Sequence, residues 1–427
     1  MKIAKYPNQE QLTELLKRPG IDQEDLSAVV NEVLRKVKEG GDASLRELTE
    51  KFDKVKLDQF YVSGEEMATA VGSIPEELKA AIQTAAHNIE RFHHAQKEHF
   101  QPIETMPGVQ CWRKSVPIQK VGLYIPGGTA PLFSTVLMLA IPAKIAGCQQ
   151  IVLCTPPGNN GSVNPAILYA ASVAGVSEIY KLGGAQAIAA MAIGTETIPK
   201  VDKIFGPGNR YVTATKMLVQ QYGVAIDMPA GPSEVLVFAD ESAVPAFVAS
   251  DLLSQAEHDV DSQVVLLTTS EKVLSEVQKE VEKQMALLPR QKMLQAALSH
   301  SVSLVLKNDS EVIAAINEYA PEHLILACNN LDCIASQIMN AGSVFLGNYT
   351  PESAGDYASG TNHTLPTSGF ARAYSGVSLD SYLKKITFQQ ITKAGLQALG
   401  PTIMTMADAE QLPAHAEAVA LRLKSEH

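Results

Sequence analysis

From residue 121 onward the chain alternates short apolar runs with longer helical patterns, and that alternation restricts its fold more than any other feature. Val121 to Ile125, Ile151 to Cys154, 178–182 and 201–205 read as strands, with helical patterns over 135–146, 164–174 and 185–193 between them. A second such run starts at Ser233, with strands over 234–238, 263–267, 303–306, 323–327 and 343–346. Successive parallel strands need a crossover, usually a helix, so this pattern predicts mostly parallel sheets covered on both faces. The expected fold is α/β: two Rossmann-like parallel-sheet domains, with a helical N-terminal segment and a C-terminal helical arm. The expected boundaries are 1–105 for the N-terminal segment, 106–230 and 231–375 for the two α/β domains, and 376–427 for the arm. The two runs suggest a duplication, although no residue-level repeat accompanies them.

In the N-terminal segment, Leu26, Val29, Val30, Val33, Leu34 and Val37 make a helical stripe that Gly40-Gly41 is expected to end. A second helix is expected from Ser73-Ile74-Pro75, with Leu78, Ile82, Ala85, Ile89 and Phe92 on its inner face. His87, His93, His94 and His99 fall on this helix and read as solvated side chains.

Charge and composition remove several functions. A net charge of −11 disfavours nucleic acid and anionic membrane as partners. The apolar runs stop short of spanning length, and MKIAKYPNQEQL lacks an apolar signal core, so a cytoplasmic location is expected. The five cysteines form no CxxC pair, which points to reduced thiols rather than a disulfide framework or a thiolate zinc site.

Three strand ends in the first run carry Gly turns: 126–129 (PGGT), 183–186 (GGAQ) and 206–209 (GPGN). Such turns let a backbone approach a nucleotide and aim helix N-termini at phosphate, although they are also what ordinary βα connections use. No GxGxxG is present.

Polar chemistry gathers in the second run. The stretch SAGDYASGTNHTLP (353–366) sets Asp356, Tyr357 and His363 among glycines without helical or strand periodicity, as a site loop would. Gln255 and His258 lie three apart on a helix beginning near Pro245, and so share a face. With Asp356 and a further histidine, either His363 or His415, they would make a nitrogen and oxygen site for Zn²⁺. Glu322-His323 offers an adjacent acid and base. Neighbours in a strand point to opposite faces, so both reach one pocket only at an irregular strand end, which Pro321 favours.

Long segments resemble the histidinol dehydrogenase family. They include VGLYIPGGTAPLFSTVLMLAIPAKIAGC (121–148), KLGGAQAIAA (181–190), KIFGPGN (203–209), IDMPAGPSEVLVFADESA (226–243), ASDLLSQAEHD (249–259), PEHL (321–324) and NAGSVFLGNYTPESAGDYASGTNHTLPT (340–367). The resemblance implies a Zn²⁺- and NAD⁺-dependent four-electron oxidation of L-histidinol through L-histidinal to L-histidine. By the same resemblance, Gln255, His258, Asp356 and His415 are metal ligands, and Glu322 and His323 are the catalytic acid–base pair. Ser233, His363 and Glu410 contact substrate, together with the metal ligands and His323. Tyr124, Gln186 and Asn209 contact NAD⁺. A homodimer is implied, in which the C-terminal arm with Glu410 and His415 completes the partner's site. The rival reading of the same polar residues is a zinc-dependent amide hydrolase, which the three Gly turns disfavour; a non-catalytic metal-binding module would leave Glu322-His323 idle.

Overall fold

The first alternating run folds into a five-stranded, fully parallel sheet in the order Glu178–Lys181, Gln150–Thr155, Lys120–Tyr124, Lys203–Phe205 and Ala225–Ile226. The structure is a computed structural model that describes residues 1–18, 23–98, 100–127 and 131–425. Gly128 and Thr129 of the first Gly turn, and His99, lie outside the described residues.

The second run forms a six-stranded parallel sheet. Its order is Lys2–Lys5, Val302–Val305, Gln263–Thr268, Glu234–Ala239, His323–Ala327 and Ser343–Leu346. Each run therefore arranges its own strands third, second, first, fourth, fifth, which is the same topology twice. In each sheet the order reverses between the first and fourth strands, where an open α/β sheet forms its crevice.

Alternation within a strand divides the core. Val121 and Leu123 pack on one face with the helices Phe133–Ala146 and Pro165–Ala174. Tyr124 faces the other, with Gln23–Phe52 and Gly184–Ile193. The helix Phe133–Ala146 is buried along most of its length, so its sequence is nearly continuous apolar residue.

Both sheets belong to one compact unit, Met1–Gln96 with Ile118–Tyr382. The other unit is Lys97–Pro117 with Leu383–His427. Its antiparallel sheet runs Leu383–Ile391, Val109–Pro117, Ile103–Met106, with Trp112 stacked on Phe388 at 5.5 Å between ring centroids. Two helices follow, Lys393–Ala409 and Pro413–Lys424.

Three local expectations are corrected, and one, the break at Gly40-Gly41, holds. The N-terminal segment is not wholly helical, because Lys2–Lys5 adds an edge strand beside Val302–Val305. The helix that starts at Gln23 is broken where expected, at Gly40-Gly41: Gly41 takes the non-helical φ 49° and ψ −133°, and a second helical stretch continues to Phe52. The Glu196 carboxylate accepts from the Asp42 N–H at 2.8 Å and occupies the space a Gly41 side chain would need. On the helix Glu76–His94, His93 is buried with its Nδ1 2.8 Å from the Ile89 carbonyl, while Phe92 is exposed. His93 sits four residues beyond Ile89 and so continues the inner stripe, which Phe92 does not. The C-terminal arm begins with a nine-residue strand rather than a helix.

Candidate active site

The site is assembled at the amino ends of the second sheet's strands. The helix Asp309–Tyr319 ends at Ala320, which adopts φ 52°, and Pro321-Glu322 then leads into the strand that His323 opens. That break in strand geometry lets Glu322 and His323 face the same region. Glu322 Oε2 accepts from the Glu234 N–H at 2.8 Å, and His323 Nδ1 lies 3.2 Å from the Glu234 carbonyl. A carbonyl can only accept, so Nδ1 carries a hydrogen in either charge state, and in the neutral ring the lone pair sits on Nε2. Nε2 makes no hydrogen bond and lies 3.5 Å from Asp356 Oδ1.

Glu234 is itself anchored. Arg18 reaches it with two contacts, Nε to Oε1 at 2.5 Å and a terminal nitrogen to Oε2 at 2.8 Å, and stacks 4.1 Å from the Tyr319 ring centroid. This bidentate pair fixes the strand start on which both Glu322 and His323 hang.

The 353–366 stretch is not wholly a loop: its first residues belong to the short helix Glu352–Tyr357. Glu352 and Asp356 are four apart on it and share a face. With His258 they form a cluster in which one potential ligand atom from each lies within 4.8 Å of the others. Gln255, at the end of the helix Pro245–Ala256, is 1% exposed, and neither its amide oxygen nor its nitrogen has a partner. Both Glu352 oxygens are likewise buried without partners.

Electrostatics follows from burying three carboxylates beside one imidazole. Burial pushes the Glu322 carboxyl up to about 8 against the opposing charge of His323. Burial also raises Glu352 well above the ordinary carboxylate value. Burial would raise Asp356 too, but the contact and charge of His323, with His363 and His258 beyond, hold it below its ordinary value. For His323, burial acts downward and the charges of Glu352, Glu322 and Asp356 overcome it, raising its pKa to about 10. His258 is surface-exposed as a residue, yet desolvation of its ring is the largest influence and lowers its pKa. Lone pairs on Gln255, Glu352, Asp356 and His258 without enough protein donors, in surplus negative charge, fit a divalent cation.

His363 does not join this cluster as a free ligand. Its Nδ1 is 2.9 Å from the Asp356 carbonyl, and its Nε2 is 3.0 Å from the Thr135 hydroxyl, which must therefore donate to it. Burial is the first cause holding its pKa down. Thr135 belongs to the helix after the first sheet's central strand, so this bond brings that sheet's crevice to the site. Ser233 lies just before the strand Glu234–Ala239, where its carbonyl accepts from the Gln263 N–H at 3.1 Å. Glu410 and His415 are exposed and belong to the other compact unit.

At the carboxyl ends of the first sheet, the Tyr124 hydroxyl accepts from the Gly184 N–H at 3.0 Å, and burial raises its pKa to about 12. Gln186 donates from Nε2 to Asp53 at 3.1 Å. Asn209 caps the helix Arg210–Val219, accepting from the N–H groups of Tyr211 and Val212. Gly206 takes φ 125°, and a Cβ there would fall 2.1 Å from the Tyr124 carbonyl oxygen, so only glycine brings these two turns together.

The histidinol dehydrogenase family model matches residues 16–423. The chain belongs to the histidinol dehydrogenase family. A histidinol dehydrogenase of Bacteroides thetaiotaomicron is 59% identical over 425 residues, covering 100% of this chain and 99% of the relative. That of Bacteroides fragilis is 59% identical over 424 residues, covering 99% of each. The crystal structure of the histidinol dehydrogenase from Elizabethkingia anophelis superimposes with a TM-score of 0.97 at 57% identity, over 99% of this chain and 98% of that one. The chain is thus a histidinol dehydrogenase by family, an oxidoreductase of histidine biosynthesis.

Of the residues singled out by sequence, Gln255, His258, Glu322, His323, Asp356 and His363 belong to the unit that holds the cluster. Sequence reasoning missed Glu352, Glu234 and Arg18. The spacing of Glu352 and Asp356 was a usable signal. Nothing local marks Arg18, whose partner is 216 positions away. The candidate residues of the second sheet lie at amino ends of its strands, not at the carboxyl ends where ligands of open α/β sheets usually gather.

Proposed function

We propose that this chain oxidises L-histidinol through L-histidinal to L-histidine, passing two hydrides to two NAD⁺, with one Zn²⁺ per subunit. The observation carrying this reading is the buried group of unpartnered Gln255 and Glu352 atoms beside the free Nε2 of His323. Gln255, His258 and Asp356 would hold the zinc, with His415 from the C-terminal arm of a partner in a homodimer. Zinc would supply a cationic anchor for the substrate's imidazole and amine nitrogens. NAD⁺, in the first sheet's crevice near Tyr124, Gln186 and Asn209, would supply the hydride acceptor.

The carboxylates that raise His323 would be offset by a cation held beside them, leaving a neutral ring whose Nε2 takes the alcohol proton as the C–H hydride leaves, giving the aldehyde. Glu322 then takes a proton from water as its oxygen adds to the aldehyde carbon, while His323 returns its proton to the aldehyde oxygen, giving the hydrate. His323 then takes a proton from the hydrate as the second hydride leaves, giving the carboxylic acid, which loses its remaining proton to solvent as the carboxylate. Ser233, His363 and Glu410 contact substrate, and holding the aldehyde within the site protects it from side reactions. Among the described residues no helix is long and apolar enough to cross a membrane; the cytoplasmic location proposed for the enzyme rests instead on its membership of a biosynthetic family.

The test mixes zinc-loaded protein with L-histidinol and excess NAD⁺ and counts products. Two NADH per histidine, lost on chelation and restored by Zn²⁺, is expected. One NADH with free aldehyde would remove the hydration role of Glu322. No NADH would refute the dehydrogenase reading and favour a zinc-dependent hydrolase.

A further inference from the structure

Asp53 is a carboxylate that the proposed chemistry leaves unused. It sits immediately after the last turn of the helix Gln23–Phe52, its N–H bonded to the Thr49 carbonyl at 2.9 Å. That position is electrostatically poor for an anion, because the helix dipole presents its negative end there. The following residue, Lys54, adopts φ 60°, a left-handed conformation unusual for lysine. Burial raises the Asp53 carboxyl to about 6, and the only opposing influence is the single Gln186 hydrogen bond, with no cation among the causes. A half-buried carboxylate with one amide donor at the wrong end of a helix is poorly explained by stability.

Its surroundings explain it better. Asp53 lines a cleft of about 880 Å³ together with Gly127, Pro131, Pro156 and Glu65. Asp53 Oδ1 would lie 3.2 Å from a Cβ built on Gly183, so the carboxylate overlies the Gly183-Gly184 turn. That turn follows Glu178–Lys181, the edge strand of the first sheet. The bond from Thr135 to His363 ties the catalytic group instead to the helix after the central strand. A dinucleotide whose nicotinamide reaches the catalytic group and then runs outward along the strand ends brings its adenosine half over the edge strand.

We propose that Asp53 recognises the adenosine ribose, accepting hydrogen bonds from its 2′- and 3′-hydroxyls, and thereby makes the chain reject a 2′-phosphorylated dinucleotide. The inference rests on the dinucleotide reading given above and deepens it. A ribose diol supplies the two donors that the carboxylate lacks. A 2′-phosphate would instead bring a second anion against it, and no cation offsets the Asp53 charge.

The test uses the full-length, zinc-loaded protein. By calorimetry, the unaltered protein should bind ADP-ribose at least about tenfold more tightly than 2′-phospho-ADP-ribose. Equal binding of the two would overturn the proposal. In Asp53→Asn, the ratio of kcat/KM for NAD⁺ to that for NADP⁺ should fall about tenfold or more, with KM for L-histidinol little changed. A merely structural Asp53 would lower activity with both dinucleotides and leave that ratio intact, which would also overturn it. If the unaltered protein binds neither ligand and forms no NADH from L-histidinol, the cofactor reading itself fails, a result distinct from lost discrimination.

Discussion

Lys216→Met should destabilise the chain through the turn that carries Asn209. Lys216 Nζ lies 2.5 Å from Asp227 Oδ1 and donates to the Gly206 carbonyl at 2.7 Å, while Asp227 Oδ2 accepts from the Gly206 N–H at 2.8 Å. The side chains are 4% and 0% exposed, so the substitution strands a buried carboxylate. Breaking such a pair costs about 3–5 kcal/mol. Lys203 adds a weaker positive charge near Asp227, although burial pushes its own pKa down, and this places the cost near about 3 kcal/mol. Unfolding entropy of about 2.1 cal/mol/K per residue over 427 residues gives about 0.9 kcal/mol/K. The melting temperature should therefore fall by about 3 °C, and KM for NAD⁺ should rise as the Gly206 turn loosens. Adding Asp227→Asn removes the stranded charge while keeping an acceptor for Gly206, and should recover more than half the loss. Calorimetric scans of both variants decide the matter. A single variant within about 1 °C of the parent, or a double variant no better than the single, would refute the reasoning.

Gln255→Leu should abolish stoichiometric zinc, read by elemental analysis, yet leave the metal-free protein as stable or about 1 kcal/mol more stable, because two buried unpartnered polar atoms disappear. Glu322→Gln should lower the rate of histidine formation from L-histidinal by about a hundredfold or more while sparing the first hydride transfer, measured in single turnover. Asp53 has a folded pKa of about 6 against an ordinary 3.8, so its contribution favours the folded state below about pH 4 and is lost as pH rises through about 6. Discounted for its partial exposure, the change is about 1–2 kcal/mol. Asp53→Asn should flatten that part of the stability profile in denaturant titrations at pH 4 to 7, and an unchanged slope would contradict the burial argument.

Much of the architecture, and part of the candidate site's grouping, were open to reading from residues alone. Short, nearly continuous apolar runs between helical patterns point to parallel sheets, because crossover helices join such strands and cover both faces. Gln255 with His258, and Glu322 with His323, were legible because each pair lies within one turn or one dipeptide, where local geometry decides proximity. The long shared segments, absent from chance, carried the family.

What only tertiary structure decided was non-local. Lys2–Lys5 becomes a strand because Val302–Val305 offers an unpaired edge, and KIAK alone has too little apolar patterning to declare it. His93 is a core residue because of what packs beneath its helix, not because of its type. Glu352 looked like one more acid in a polar stretch; its meaning came from burial beside Asp356 and His258 without a donor. The same holds for Arg18 and Glu234, whose ion pair fixes the start of the strand beside Glu322 and His323 across 216 positions of sequence. Periodicity records which face of an element meets the core. The partner that face meets is set by how the sheets fold together, and burial, charge and chemistry follow from that meeting.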